Sequence, residues 1–410
     1  MKRCLTGFMC VLLIFSLTAG AMADEAAMGR PATEYFYEGM YDNFEEEGAA
    51  VPTAATAEGL TLSAASAVLM EVSTGQILYE KNADDPRPPA SITKIMTLLL
   101  TMEAMENGRL LLTDTVTADA HACSMGGSQI WLKEGEQMSV EELLRAVCVA
   151  SANDAAVALG EHIAGSEEAF VAQMNERAAA LGMEHTHFVN CCGLDADGHL
   201  STARDVAFMS RELLRHRLIT RYTTRWTDSL RGGATQLVNT NKLVRFYKNT
   251  TGLKTGTTSK AGYCVAASAE KDGMELLAVV LGGETSEKRF SDAKAMLNFG
   301  FANYELAAVE PSNVSLPAVT VTRGVQDRMT VTAMPAGPFL VTKGQAEQIK
   351  PQVVLPATME APLAEGQVVG RIRYTLEGET VGESLLVCKA PVNRRTFATA
   401  LWLWIRRLAS

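Results

Sequence analysis

A serine followed three residues later by a lysine puts a hydroxyl and an amine on one face of a helical turn, within hydrogen-bonding range. An uncharged amine there can take the hydroxyl proton and make a nucleophile without histidine. The 410-residue chain has three such pairs, Ser91/Lys94, Ser268/Lys271 and Ser291/Lys294, against roughly one or two expected by chance. Context separates them. Ser268 reads as the end of a strand and Ser291 as the start of a surface helix, both solvated polar positions. Ser91 follows Pro88-Pro89-Ala90 and opens SITKIMTLLLTMEAM, in which Ile92, Ile95, Met96 and Leu99 mark a core helix. A buried helix start supplies a fixed hydroxyl, free backbone N–H groups and shelter from water. Burial also favours the neutral amine that a base must be.

Two further signals follow in order. Ser151-Ala152-Asn153 stands after a helical stretch over 140–150, and Lys254-Thr255-Gly256 stands before a strand at 263–269. A given tripeptide such as the second is expected about 0.1 times by chance, so the ordered set is a strong joint signal. No Gly-x-Ser-x-Gly elbow, His-Glu-x-x-His pair or Gly-x-x-x-x-Gly-Lys loop is present. His185, His187, Asp195, Asp197 and His199 lie close together in sequence, but that ligand mix suits neither zinc nor calcium well. The segment reads as a polar loop, and no metal or cofactor is expected.

The elements that must position these residues are mixed. Strands are expected at 67–70 and 76–80 around a turn at Ser73-Thr74-Gly75, helices through about 215, strands at 263–269 and 275–282, and a helix at 291–301. After Glu310-Pro311 the pattern turns to period two, as in Val319-Thr320-Val321-Thr322 and in 371–376, with Gly and Pro between. The reading is an α/β (α+β) domain over 60–305, then a small all-β domain over 306–392.

The ends differ from both. Lys2 and Arg3, an apolar run over 5–17 and Ala21-Met22-Ala23 read as an export signal over 1–23. Residues 24–59 form an acidic leader. Residues 393–410 read as an amphipathic helix, with Phe397, Leu401, Trp404 and Leu408 on one face, Arg395, Thr399 and Arg406 opposite, and Arg394 and Arg407 completing the basic flanks. The apolar run is too short to span a bilayer, and Trp beside Arg suits an anionic membrane surface. A net charge of −10 argues against a nucleic-acid partner. Without the signal, six cysteines remain, without the spacing of a disulfide scaffold, and read mainly as small buried hydrophobes.

With these motifs in place the chain resembles the low-molecular-mass penicillin-binding proteins, the serine-type D-alanyl-D-alanine carboxypeptidases that trim peptidoglycan stem peptides. The likeness runs through 90–97, Leu132-Lys133-Glu134-Gly135-Glu136, 151–155, HTHFVNCCGLDADGHLSTARD at 185–205 and 252–256. It extends to Ala361-Pro362-Leu363 and 366–370 in the sheet domain, and to the basic tail. The resemblance implies a β-lactamase-like transpeptidase fold in the first domain and these roles: Ser91 as nucleophile, Lys94 as general base, Ser151 as proton relay and Asn153 on the substrate amide. Lys254 would keep the local potential positive and attract the terminal carboxylate, which Thr255 and Arg204 would also meet. The backbone N–H groups of Ser91 and Thr257, beside Gly256, would form an oxyanion hole. Penicillins would acylate Ser91. A serine β-lactamase shares the motifs but needs a deacylating Glu-x-x-Leu-Asn element after Ser-x-Asn, and none is found. A transpeptidase or endopeptidase differs in pocket shape, which motifs do not fix; an inactive wall-binding scaffold remains a third reading.

Overall fold

The computed structural model describes residues 60–398 and Leu401. The export signal over 1–23, the leader over 24–59 and most of the terminal helix, 399–400 and 402–410, lie outside the described residues.

Five strands form an antiparallel sheet: β1 (Ser66–Glu71), β2 (Ile77–Lys81), β3 (Thr250–Thr258), β4 (Gly262–Lys271) and β5 (Met274–Gly283), in the order β2-β1-β5-β4-β3. Successive side chains on a strand point to opposite faces, and here both faces are covered. Val68, Met70, Leu277, Val279 and Leu281 enter one core. Ala67, Leu69, Leu276, Ala278 and Val280 enter the other. Burial on both sides is why β1 and β5 read as nearly unbroken apolar runs.

The first core is roofed by helices inserted between β2 and β3: α1 (Lys94–Glu106), α2 (Val140–Arg145), α3 (Asn153–Ala164), α4 (Glu167–Ala180) and α5 (Ala203–Arg215). They contribute Ile95, Leu99, Leu144, Leu159, Phe170 and Leu213. The opposite face is covered by α6 (Ser286–Asn303), through Phe290, Ala293 and Leu297. The site therefore forms where the edge strand β3 meets the inserted helical layer.

Three local expectations change. The helix α6 starts at Ser286, where the Thr285 hydroxyl accepts from the Lys288 N–H at 3.2 Å, so Ser291 lies inside it. Ser268 is not solvated: it sits inside β4, fully buried, and accepts a hydrogen bond from Thr251 at 2.7 Å. Lys254 lies within a strand of its own, β3, rather than ahead of one.

The sheet domain has its own core of Val321, Leu363, Ile372, Tyr374, Leu386 and Cys388. Its longest strands are Val368–Leu376 and Glu379–Cys388. The strand Tyr304–Ala307 leaves α6 and pairs with Phe339–Thr342, which joins the two domains. Arg395, expected on the polar face of the terminal helix, is held by the sheet domain instead: its guanidinium donates to the Gly324 carbonyl and to Asp327, both at 2.9 Å. Beyond it, Phe397 and Leu401 are exposed. The six described cysteines are free; five are buried and Cys123 is partly so.

Candidate active site

Ser91 and Lys94 do not share one regular helix. Ala90–Thr93 forms a 3-10 turn and Lys94 is the first residue of α1. The turn begins at Ala90 in the left-handed region, φ 50°, an uncommon state for a residue with a Cβ. It is pinned from below. The Thr93 hydroxyl donates to the Ala90 carbonyl at 2.9 Å and meets His199 Nε2 at 2.7 Å. His199 Nδ1 accepts from the Val189 N–H at 3.0 Å, so the Nε2–H tautomer donates to Thr93. Burial, with His187 adding to it, pushes His199 down to about 4, and the ring is neutral. The residue considered as a metal ligand is thus a buried prop. Among the described residues no three His, Cys, Asp or Glu side chains are arranged to hold a metal ion.

Lys94 is fully buried, and its amine has three oxygen neighbours: Ser91 Oγ at 3.0 Å, Asn153 Oδ1 at 2.5 Å and the Cys192 carbonyl at 2.6 Å. The Asn153 orientation follows from its own Nδ2, which donates to the Gly126 carbonyl at 2.6 Å. Burial pushes Lys94 down to about 8, the nearby Cys192, Cys191 and Asp154 acting the other way. The shift from the ordinary lysine value corresponds to roughly 3 kcal/mol against the charged form. A neutral amine has two N–H bonds and one lone pair. Two of its three neighbours are carbonyl oxygens that can only accept, so they take both N–H bonds. The lone pair is left facing the Ser91 hydroxyl.

The second serine–lysine pair stands opposite. The helical stretch expected over 140–150 is present: α2 continues as a π turn over Ala146–Ala150 and ends at Ser151 in the left-handed region, φ 62°. Ser151 Oγ accepts from Lys254 Nζ at 2.9 Å, and Lys254 also donates to the Thr255 carbonyl at 3.1 Å. Burial first, then the Lys94 and Arg289 charges, hold Lys254 well below the ordinary lysine range. The two buried amines disfavour a second proton between them.

Close packing fixes the gap. A Cβ on Gly256 would lie 2.9 Å from the Pro89 carbonyl and 3.0 Å from the Ser91 nitrogen, so β3 runs against the nucleophile turn at a distance only glycine allows. A Cβ on Gly193, at φ +87°, would fall 2.0 Å from the Ala90 carbonyl. Gly193 follows Cys192, whose carbonyl holds Lys94.

The structure brings Ser91, Lys94, Ser151, Asn153, Lys254, Thr255, Gly256 and Thr257 together. It does not bring Arg204 there. That guanidinium is engaged at the surface by Asp84 at 2.7 and 3.0 Å and by Glu80 at 2.9 Å. The cation beside the strand is Arg289 on α6, nearly buried, whose Nη1 donates to the Gly256 carbonyl and to Thr257 Oγ1, both at 3.0 Å. Sequence reasoning missed it; the available signal was an arginine directly before the apolar Phe290, on the buried side of α6. It also missed the Cys192 carbonyl, a backbone group with no side-chain signature, and Thr240, which accepts from the Thr255 hydroxyl at 2.7 Å. Among the described residues, Lys94, Lys254 and Arg289 hydrogen-bond hydroxyls and carbonyls and have no carboxylate partner. Arg289, the guanidinium among them, leaves positive potential there for an anionic group.

The family model for D-alanyl-D-alanine carboxypeptidase, peptidase S11, matches residues 52–285, more than half of the chain. The chain belongs to the D-alanyl-D-alanine carboxypeptidase family. Residues 309–394 match the C-terminal domain of penicillin-binding protein 5. The carboxypeptidase DacF of Bacillus subtilis (strain 168) is 41% identical over 346 residues, 83% of this chain and 89% of that protein. DacA of Escherichia coli (strain K12) is 36% identical over 345 residues, 82% and 85% of the two chains. Penicillin-binding protein 5 from Haemophilus influenzae superposes with a TM-score of 0.75 at 32% identity, covering 82% of this chain and 98% of that one. Penicillin-binding protein D2 from Listeria monocytogenes in its ampicillin-bound form gives 0.54 at 36% identity, over 59% and 99%. The carboxypeptidase family places this chain among the serine-type hydrolases, with the penicillin-binding fold in its first domain and a β-rich second domain.

Because Gly193 carries the loop that holds Lys94 against the nucleophile turn, Gly193→Ala should slow penicillin acylation at least about 100-fold, the scale of a misplacement near 1 Å. Stopped-flow acylation beside a circular-dichroism melt checks this; a near-normal rate would contradict the packing argument.

Proposed function

We propose that this carboxypeptidase removes the terminal D-alanine from peptidoglycan stem pentapeptides through an ester on Ser91. Ser91 Oγ bonds to the penultimate D-alanine carbonyl carbon while its proton passes to the Lys94 lone pair. The N–H groups of Ser91 and Thr257 receive the oxyanion; losing one such donor typically costs about 3 kcal/mol of transition-state stabilisation. The C–N bond then breaks as a proton reaches the leaving amine by way of the Ser151 hydroxyl, and free D-alanine departs. Water adds to the ester, gives its proton to Lys94, and Ser91 recovers its own as the acid is released. Asn153 orients the substrate amide, and Lys254, Thr255 and Arg289 attract the terminal carboxylate. β-Lactams, which place a strained amide beside a carboxylate, acylate the same serine.

One observation carries this reading: the Lys94 amine lies within hydrogen-bond range of the Ser91 hydroxyl and of two carbonyl oxygens, so that in its neutral form both N–H bonds go to the carbonyls and the lone pair faces Ser91. A fluorescent penicillin should label the native protein covalently and leave Ser91→Ala unlabelled, while the native enzyme alone releases D-alanine from a pentapeptide. Labelling of the variant would remove the assignment.

We further propose that the enzyme is exported and works at the outer face of the cytoplasmic membrane, held there through its C-terminal end. Support comes from Phe397 and Leu401, exposed at 86% and 47% just past the sheet domain. Among the described residues no helix is long and apolar enough to cross a membrane. Removing 393–410 should release the protein from anionic vesicles with pentapeptide cleavage unchanged; continued sedimentation with vesicles would place the anchor elsewhere.

A further inference from the structure

Trp131 combines three features that rarely coincide. Its backbone is left-handed, φ 55°, an outlier for a bulky residue. Its side chain is 73% exposed, so no internal packing requires an indole there. And the chain on both sides is locked. The Ile130 and Leu132 N–H groups donate to the buried Asp154 carboxylate at 3.1 and 3.0 Å. The Ile130 carbonyl accepts from Arg231 Nη1 at 3.0 Å, and Arg231 is fixed by Glu136 at 2.6 and 3.1 Å. Ile130 and Leu132 are buried, which leaves Trp131 as the one side chain of the three turned outward. Strained backbone held in place by its surroundings clusters at functional sites.

The location names the function. Asp154, which clamps this segment, is the neighbour of Asn153 on α3. The Asn153 N–H donates to the Ser128 carbonyl at 2.7 Å and its Nδ2 to the Gly126 carbonyl at 2.6 Å. The segment 126–132 therefore wraps the residue that would bind the substrate amide, and Trp131 follows Ser128 by three residues, at most about 10 Å of chain. In the stem peptide the third residue directly precedes the penultimate D-alanine, its Cα within about 4 Å of that residue's Cα.

We infer that Trp131 is a specificity-determining platform whose indole packs on the third residue of the stem peptide. This rests on the Ser91 reading above. An indole offers a broad apolar face at little entropic cost, able to cover an aliphatic stem and to meet an ammonium through its π face.

The test compares kcat/KM for a stem pentapeptide with that for N-acetyl-D-alanyl-D-alanine, which lacks the third residue. Trp131→Ala should lower the pentapeptide-to-dipeptide ratio about tenfold, through KM rather than kcat, and Trp131→Phe should keep most of it. Trp131→Gly removes the ring and relieves the left-handed strain together, so it separates loss of contact from loss of folding, and its ratio should fall equally. An unchanged ratio in the Ala and Gly variants overturns the proposal. Loss of penicillin labelling in both also overturns it, by making Trp131 a structural residue. Failure of the native protein to label at Ser91 would instead reject the catalytic reading.

Discussion

A buried lysine amine between two carbonyl oxygens and a serine hydroxyl is the constraint on which the rest of the molecule depends. In water the Lys94 nitrogen would be an ammonium with no lone pair to offer. Here burial lowers it to about 8, and the Cys192 and Asn153 oxygens decide which way it faces. Those acceptors come from distant parts of the chain, a loop at 190–194 and the first residue of α3. The fold's task is to hold three separate segments within hydrogen-bond range of one atom. Interiors packed as densely as crystals can do that, because small shifts are resisted on every side.

The positioning machinery extends outward from that atom. Glu167 at the start of α4 accepts from the Cys191 N–H at 3.0 Å, and the Cys191 carbonyl accepts from Thr97 at 2.6 Å, so the residue just before Cys192 is tied to two helices. Left-handed backbone at Ala90 and Ser151 puts both candidate hydroxyls on abrupt turns rather than along regular helix. Such states cost of order 1–3 kcal/mol each, offset by the dense core beneath. Arg289 then supplies a fixed positive charge with no carboxylate partner among the described residues, which is the environment a substrate ending in an anion requires.

Much of this was legible in the sequence, for identifiable reasons. Ser91, Lys94, Ser151, Asn153 and Lys254 stood out because their chemistry depends on side-chain type at fixed spacing, and the structure brings all five together. The strands β1, β4 and β5 were visible because burial on both faces writes an apolar run. β3 was hidden because it is an edge strand whose sequence, TTGLKTGTT, serves a polar site rather than a core. The π turn before Ser151 left no trace, since Ala146–Ala150 is apolar in any helical form. Arg204 was assigned through local likeness of a motif, but Asp84 and Glu80 hold it at the surface; Arg289, over thirty residues beyond Lys254, reaches Thr257 only through the packing of α6. Long-range geometry of that kind carries no local signature.

Direct titration of the Lys94 nitrogen tests the central claim most sharply. With lysine labelled by ¹⁵N at Nζ, and the Lys94 resonance assigned by its loss in Lys94→Arg, the nitrogen should show an amine-like shift above a midpoint near 8 and an ammonium below it. The sign follows from burial, which disfavours the charged form and so lowers a lysine. A resonance that stays ammonium-like up to about pH 10, the range of an ordinary exposed lysine, would contradict it.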